Sequence, residues 1–164
     1  DIQFINDFGR DVMSTKCEIK EQPAMPVLSV RTHCAVAELP QVLGQTYAKI
    51  ETYLAQNGLQ AVYAPFVVYY NMDMDALDID AGFPVAAGLS GQDDIQANEL
   101  PAGKVLTSIY TGPYDGMPAA YAAIDAFAHE HSVKRKGMVY EFYHNNPTTT
   151  PPDQLITEIV FPLV

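Results

Sequence analysis

Apolar and polar positions alternate along this chain with the periods of strands and helices, and the pattern occurs twice. "VLSVRTHCAVAELPQVLGQTYAKIETYLAQNG", from Val27, and "VLTSIYTGPYDGMPAAYAAIDAFAHEHS", from Val105, both open on a strand-like Val-Leu run and pass through a polar turn. Each then sets an apolar residue before proline, Leu39-Pro40 and Met117-Pro118, at the start of a helical pattern. Leu39, Leu43, Ile50 and Leu54 recur at helical spacing in the first copy, and Met117, Tyr121, Ile124 and Phe127 in the second. Proline is harmless in a first turn, whose N–H groups have no intrahelical acceptor. Asn57-Gly58 predicts the end of the first helix, and Asp115 is placed to cap the second.

Beyond each helix comes an aromatic strand, a polar loop and a second strand closing on Phe-Pro: "FVVYYNMDMDALDIDAGFPV" and "YEFYHNNPTTTPPDQLITEIVFPLV". The offset between copies is identical at both ends of the match, Val27 to Val105 and Phe83 to Phe161. The pattern therefore predicts an α+β fold of two pseudo-symmetric β-α-β-β repeats, with mostly antiparallel strands and helices on one face. Repeat 1 covers about 14–88 and repeat 2 about 102–164, joined by a polar, Gly-rich linker at about 89–101. Residues 1–13 match neither repeat and are read as a tail outside the domain, with Met13-Ser14 as a natural start.

Composition narrows the function. Nine basic residues against twenty acidic ones give a formal net charge of −11, which disfavours direct nucleic-acid binding. No apolar run reaches the roughly 18 residues needed to span a bilayer, and the chain does not open on a secretory pattern, so a cytoplasmic protein is expected. Cys17 and Cys34 form no metal-ligand pair and read as reduced, with a bridge between them as the lesser alternative. "KRK" (Lys134 to Lys136) reads as a solvated loop. Asn71, Asp73 and Asp75 alternate as a calcium loop begins, but Ala76 and Gly82 stand where its glycine and bidentate glutamate belong. The four histidines lack zinc spacing, so neither metal nor cofactor is expected.

Glu141 is the anomaly. It lies in "VYEFY", a run that otherwise reads as a buried strand, and burying an unpaired charge costs several kcal/mol. Period two puts Val139, Glu141 and Tyr143 on one face, with Val67 and Tyr69 on the equivalent face of the first repeat. If the helices cover the Phe142 face, the other face carries one acid among tyrosines, which suits a flat or lipophilic cation. The alternative is that Glu141 bonds Arg31, Lys104 or a tyrosine hydroxyl.

"PVLSVRT", "YAPFVVYYNMD", "GFPV", "YTGPYDGMPAAYAAI", "VYEFYHNNP" and "LITEIVFPL", in this order, resemble the GyrI-like small-molecule-binding family, which includes effector domains of AraC-type and multidrug-sensing regulators. The resemblance implies two β-α-β-β units whose sheets flank a ligand cleft, with helices on the opposite face. It also implies Glu141 as the polar anchor and Tyr143, Tyr69 and Tyr110 as aromatic walls, with Val67 beside them. The expected partner is a lipophilic, cationic small molecule. A hydrolase using Glu141 as general base with Tyr69 or Tyr143 as helper is the alternative. Weaker expectations are a protein partner, such as gyrase or a regulator, and a homodimer.

Overall fold

The computed structural model describes residues 16–164; the tail read at 1–13 lies outside the described residues. Among the described residues, eight strands form one antiparallel sheet with two α-helices. The strands are β1 (Cys17–Gln22), β2 (Met25–Cys34), β3 (Phe66–Tyr69), β4 (Leu77–Pro84), β5 (Gln96–Leu100), β6 (Gly103–Thr111), β7 (Val139–Tyr143) and β8 (Ile156–Pro162). Helix α1 (Leu39–Gln56) joins β2 to β3, and α2 (Met117–Glu130) joins β6 to β7. Both carry proline in the first turn, and α1 ends at Asn57 ahead of Gly58, whose φ of 65° is the left-handed stop the sequence predicts. Asp115 does not cap α2: it lies in a 3-10 turn, Tyr114–Gly116, and no side chain caps the helix, whose flanking residue is Gly116.

The strand order is β1-β6-β8-β7-β3-β4-β2-β5. Exchanging β1 with β5, β2 with β6, β3 with β7 and β4 with β8 reverses this order onto itself, so the twofold pseudo-symmetry of the sequence is built into the sheet. Each half thus carries one strand more than the β-α-β-β unit read from the sequence. The extra strands are β1 and β5, and β5 occupies the segment read as linker. Pro23-Ala24 joins β1, first in the order, to β2, seventh; Pro101-Ala102 joins β5, eighth, to β6, second. Two linking residues reach at most about 11 Å. The sheet must therefore curl until its two ends nearly meet.

Curling gives the sheet an inside and an outside. Val27, Phe66, Val68, Leu100, Val105, Tyr140, Phe142 and Val160 form an inner core made of strand residues. The helices cover the other face. Helix α1 packs Ile50 and Leu54 on Leu28, Val30 and Phe83, and α2 packs Ala120, Ile124 and Ala128 on Leu106, Val139 and Ile159. This corrects the face assignment made from the strand pattern, because Phe142 faces the interior and Glu141 shares the helical side with Val139. Both faces of β7 are apolar, and alternation alone does not tell which one a helix will cover.

At the centre of the sheet, β3 and β7 pair Phe66 with Phe142, Val67 with Glu141 and Val68 with Tyr140. Tyr69 and Tyr143 are equivalent in the two repeats, so Val67 and Glu141 are equivalent as well. The pseudo-twofold axis passes between these two paired residues. One half supplies a valine at this point and the other a carboxylate.

Candidate ligand-binding site

The axis emerges in a cleft between α1 and α2, on the helical side of the sheet, with a volume of about 1960 Å³. Small-molecule sites run to roughly 300–1,000 Å³, so this groove has room for a large guest. Its walls use the part of each helical stripe that does not reach the core. Leu39, Leu43 and Tyr47 come from α1, and Met117 and Tyr121 from α2. Below them Val67, Leu77, Ile79 and Ala81 make an apolar floor packed against Tyr69 and Tyr143.

Glu141 stands in this floor with 7% of its surface exposed. Tyr143 donates to its Oε1 at 2.7 Å, and Tyr121 donates to Oε2. The hydroxyls of Tyr69 and Tyr143 are 3.4 Å apart. Tyr114 stands edge-on to Tyr143 with ring centroids separated by 6.1 Å. Of the partners anticipated for Glu141, only tyrosine hydroxyls are present. Arg31 forms a bridge with Asp78 at 2.7 Å instead, and no basic residue pairs with Glu141 among the described residues.

Burial pushes the Glu141 carboxyl above the ordinary carboxylate range, and the Tyr121 and Tyr143 hydrogen bonds partly oppose it. Burial also raises Tyr143, Tyr69 and Tyr121, with the Glu141 charge adding to each. These phenols stay protonated at neutral pH. The site is a carboxylate in a ring of hydroxyl donors and aromatic faces, with no basic side chain paired to it among the described residues.

Among the residues expected to bind, Glu141, Tyr143 and Tyr69 line the cleft together. Val67 is fully buried beneath it, next to Glu141. Tyr110 lies elsewhere: its hydroxyl donates to the Pro113 carbonyl at 2.7 Å, and its ring packs with the α2 core. A Cβ on Gly112 or Gly116 would approach the Tyr110 hydroxyl to 2.6 or 2.1 Å, which explains two of the glycines in "YTGPYDG". The sequence singled out Tyr121 only as a position of the helical pattern, and it did not single out Tyr47 or Tyr114. Lys134 and Lys136 are exposed, as the solvated-loop reading of "KRK" expects, while Arg135 is half-buried and, with Lys136, lines the cleft. Two polar side chains of the NMDMD loop are engaged within it: Asn71 bonds the backbone of Ala76 and Asp78, and Asp73 that of Asp75.

A second buried acid escaped the sequence. Glu158, on the inner face of β8, accepts from Tyr63 at 2.6 Å and contacts His144 Nε2 at 2.9 Å. Its equivalent in the first repeat is Asp80, also buried, with Oδ1 lacking a hydrogen-bond partner in the protein. The repeat offset would have paired these acids.

Comparison with curated proteins finds no significant match. Solved structures share the fold at low identity. One is EcmrR in the EcmrR-DNA complex of EcmrR-RPo (TM-score 0.80, 19% identity), matched over 99% of this chain and 62% of that one. Another is a hydrolase from Listeria innocua (TM-score 0.72, 14% identity), covering 91% of this chain and 92% of that one. A third is SAV2435 bound to tetraphenylphosphonium (TM-score 0.63, 13% identity), covering 91% and 94%. The chain thus spans less than two thirds of the EcmrR chain it matches. No helix among the described residues is long and apolar enough to cross a membrane. The family model for the GyrI-like small molecule binding domain matches residues 15–164, and the chain belongs to that family.

Proposed function

We propose that this domain binds a lipophilic cation in the cleft between α1 and α2, with Glu141 as the charge anchor and Tyr69, Tyr121 and Tyr143 as the surrounding aromatic surface. The observation that carries this reading is a buried carboxylate that meets hydroxyls and rings but no basic side chain. Such a charge is costly in the empty site, and an arriving cation recovers that cost. Ring faces add roughly 0.5–2 kcal/mol each when desolvated. The neighbour bound to tetraphenylphosphonium supports the same class of guest.

Titration of tetraphenylphosphonium by calorimetry tests the reading. At about 6 Å and an effective dielectric of about 20, a unit charge pair is worth about 3 kcal/mol before desolvation takes back part of it. Glu141→Gln should therefore weaken binding by about tenfold or more. Equal affinities would remove the carboxylate from the site. A second reading, hydrolysis of an electrophilic guest with Glu141 as base, draws on its raised proton affinity and on the neighbour named as a hydrolase. It predicts turnover that Glu141→Gln abolishes while binding persists.

A further inference from the structure

The aromatic floor continues past Glu141. Beyond Tyr121, the ring of Phe161 stands edge-on to it at a centroid distance of 5.9 Å. The guanidinium of Arg135 lies over Phe161, 4.8 Å from the ring centroid. Arg135 reaches Asp125 at 2.6 Å, and Asp125 stands one helical turn beyond Tyr121 on α2. Lys136 lines the same end of the cleft and forms no ion pair among the described residues. A carboxylate and a guanidinium therefore face one groove from opposite ends of a two-ring ladder.

The Asp125 side chain is 63% exposed, so water already competes for its bridge to Arg135, and the bridge adds little stability. The guanidinium is better fixed: its side chain is 28% exposed and it rests on a ring. A planar fork held in this way suits a second oxyanion.

We propose that the cleft selects zwitterions with a flat apolar body. The cationic end lies at Glu141, and an anionic group of the carboxylate, sulfonate or phosphate type replaces Asp125 on Arg135. This rests on the reading of Glu141 as cation anchor and adds a second point of recognition. A simple cation leaves Arg135 with Asp125 and gains nothing at that end.

Rhodamine B and its ethyl ester share one xanthene cation and differ in a free carboxylate, so fluorescence anisotropy titrations of the pair isolate the Arg135 end. The protein should prefer the zwitterion about fivefold at low salt. Arg135→Gln should abolish the preference, and Arg135→Lys should keep part of it. Asp125→Asn, which frees the guanidinium, should enlarge it. Glu141→Gln should weaken both dyes alike and so tests the anchor separately. Ester binding as tight as zwitterion binding, or a preference that survives Arg135→Gln, overturns the proposal. Unchanged binding of both dyes to Glu141→Gln overturns it from the other end by removing the anchor.

Discussion

Replacing Tyr121 by Phe removes one hydroxyl and leaves the ring, so it probes the Glu141 site without opening a cavity. Tyr121 is one of two donors to a carboxylate that is 7% exposed, and it reaches that carboxylate from α2. A hydrogen bond to a buried charge contributes about 1.5–3 kcal/mol, against about 1 kcal/mol for a neutral pair. Burial raises the Glu141 pKa in the folded protein, so stability from this group is fully present below the ordinary carboxylate range. It is lost as pH rises through the folded value. The Tyr121 hydroxyl resists that loss because its hydrogen bond lowers the pKa. Tyr121→Phe should therefore cost about 1 kcal/mol at low pH, where Glu141 is protonated, and about 2 kcal/mol where it is ionised. For a chain of this size the larger figure corresponds to a melting-point fall of roughly 4–8 °C. Urea unfolding below the ordinary carboxylate range, at about pH 4, and at about pH 8 measures the difference, and taking wild type minus mutant cancels the other titrating groups. A double-mutant cycle with Glu141→Gln assigns the pH-dependent part to this pair. A cost that is the same at both pH values, or below about 0.5 kcal/mol at the higher one, refutes the reasoning.

Two further substitutions test the scaffold. A Cβ on Gly82 would meet the Leu28 carbonyl oxygen of the paired strand β2 at 1.9 Å, so Gly82→Ala should cost about 3 kcal/mol, read as a lower urea midpoint. A change within about 0.5 kcal/mol would mean that the two strands separate easily. Glu158→Gln should lower stability by about 1 kcal/mol by weakening the links to Tyr63 and His144, while tetraphenylphosphonium binding stays unchanged because Glu158 lies on the inner face. A tenfold loss of affinity would show that the two faces are coupled.

The repeat was legible because duplication preserved an offset. Val27 with Val105 and Phe83 with Phe161 fixed the β-α-β-β order, and the paired prolines fixed both helix starts. The extra strands β1 and β5 were missed because their residues are mostly polar, as in "CEIKEQ" and "QANEL". A signal was present in Pro23-Ala24 and Pro101-Ala102, the same dipeptide at the same repeat offset, just ahead of Val27 and Val105. Glu141 was legible because an acid in an apolar strand has few explanations. Which face it occupied was not, since Val139 and Phe142 are equally apolar and the curl of the sheet decides which side is interior. Tyr121 stood out only as one position of the α2 stripe beside Ile124, and helical spacing alone does not separate a cleft wall from a buried core residue. Arg135 passed for a loop cation because its ring partner, Phe161, lies on the last strand, with the whole of β7 and a long loop between them.

Symmetry gives these pieces a common sense. The scaffold offers two equivalent positions on its axis, and the chain has made one of them, Val67, apolar and the other, Glu141, ionisable. The equivalent of Tyr121 in α1, at the same repeat offset, is Leu43, again apolar. Glu141 and both of its hydroxyl donors, Tyr121 and Tyr143, come from the second half, while the first half adds Tyr69, whose hydroxyl meets that of Tyr143, and apolar surface. On the proposed reading, a guest with a single positive charge fits such a site better than one with two.

A crystal structure of the complex with tetraphenylphosphonium tests this most directly. The account predicts the phosphonium centre over the pseudo-twofold axis next to the Glu141 carboxylate, its phenyl groups against Tyr69, Tyr121 and Tyr143, and no basic side chain in between. A phosphonium bound away from the axis, with Glu141 still closed off by its two tyrosine hydroxyls, would contradict it.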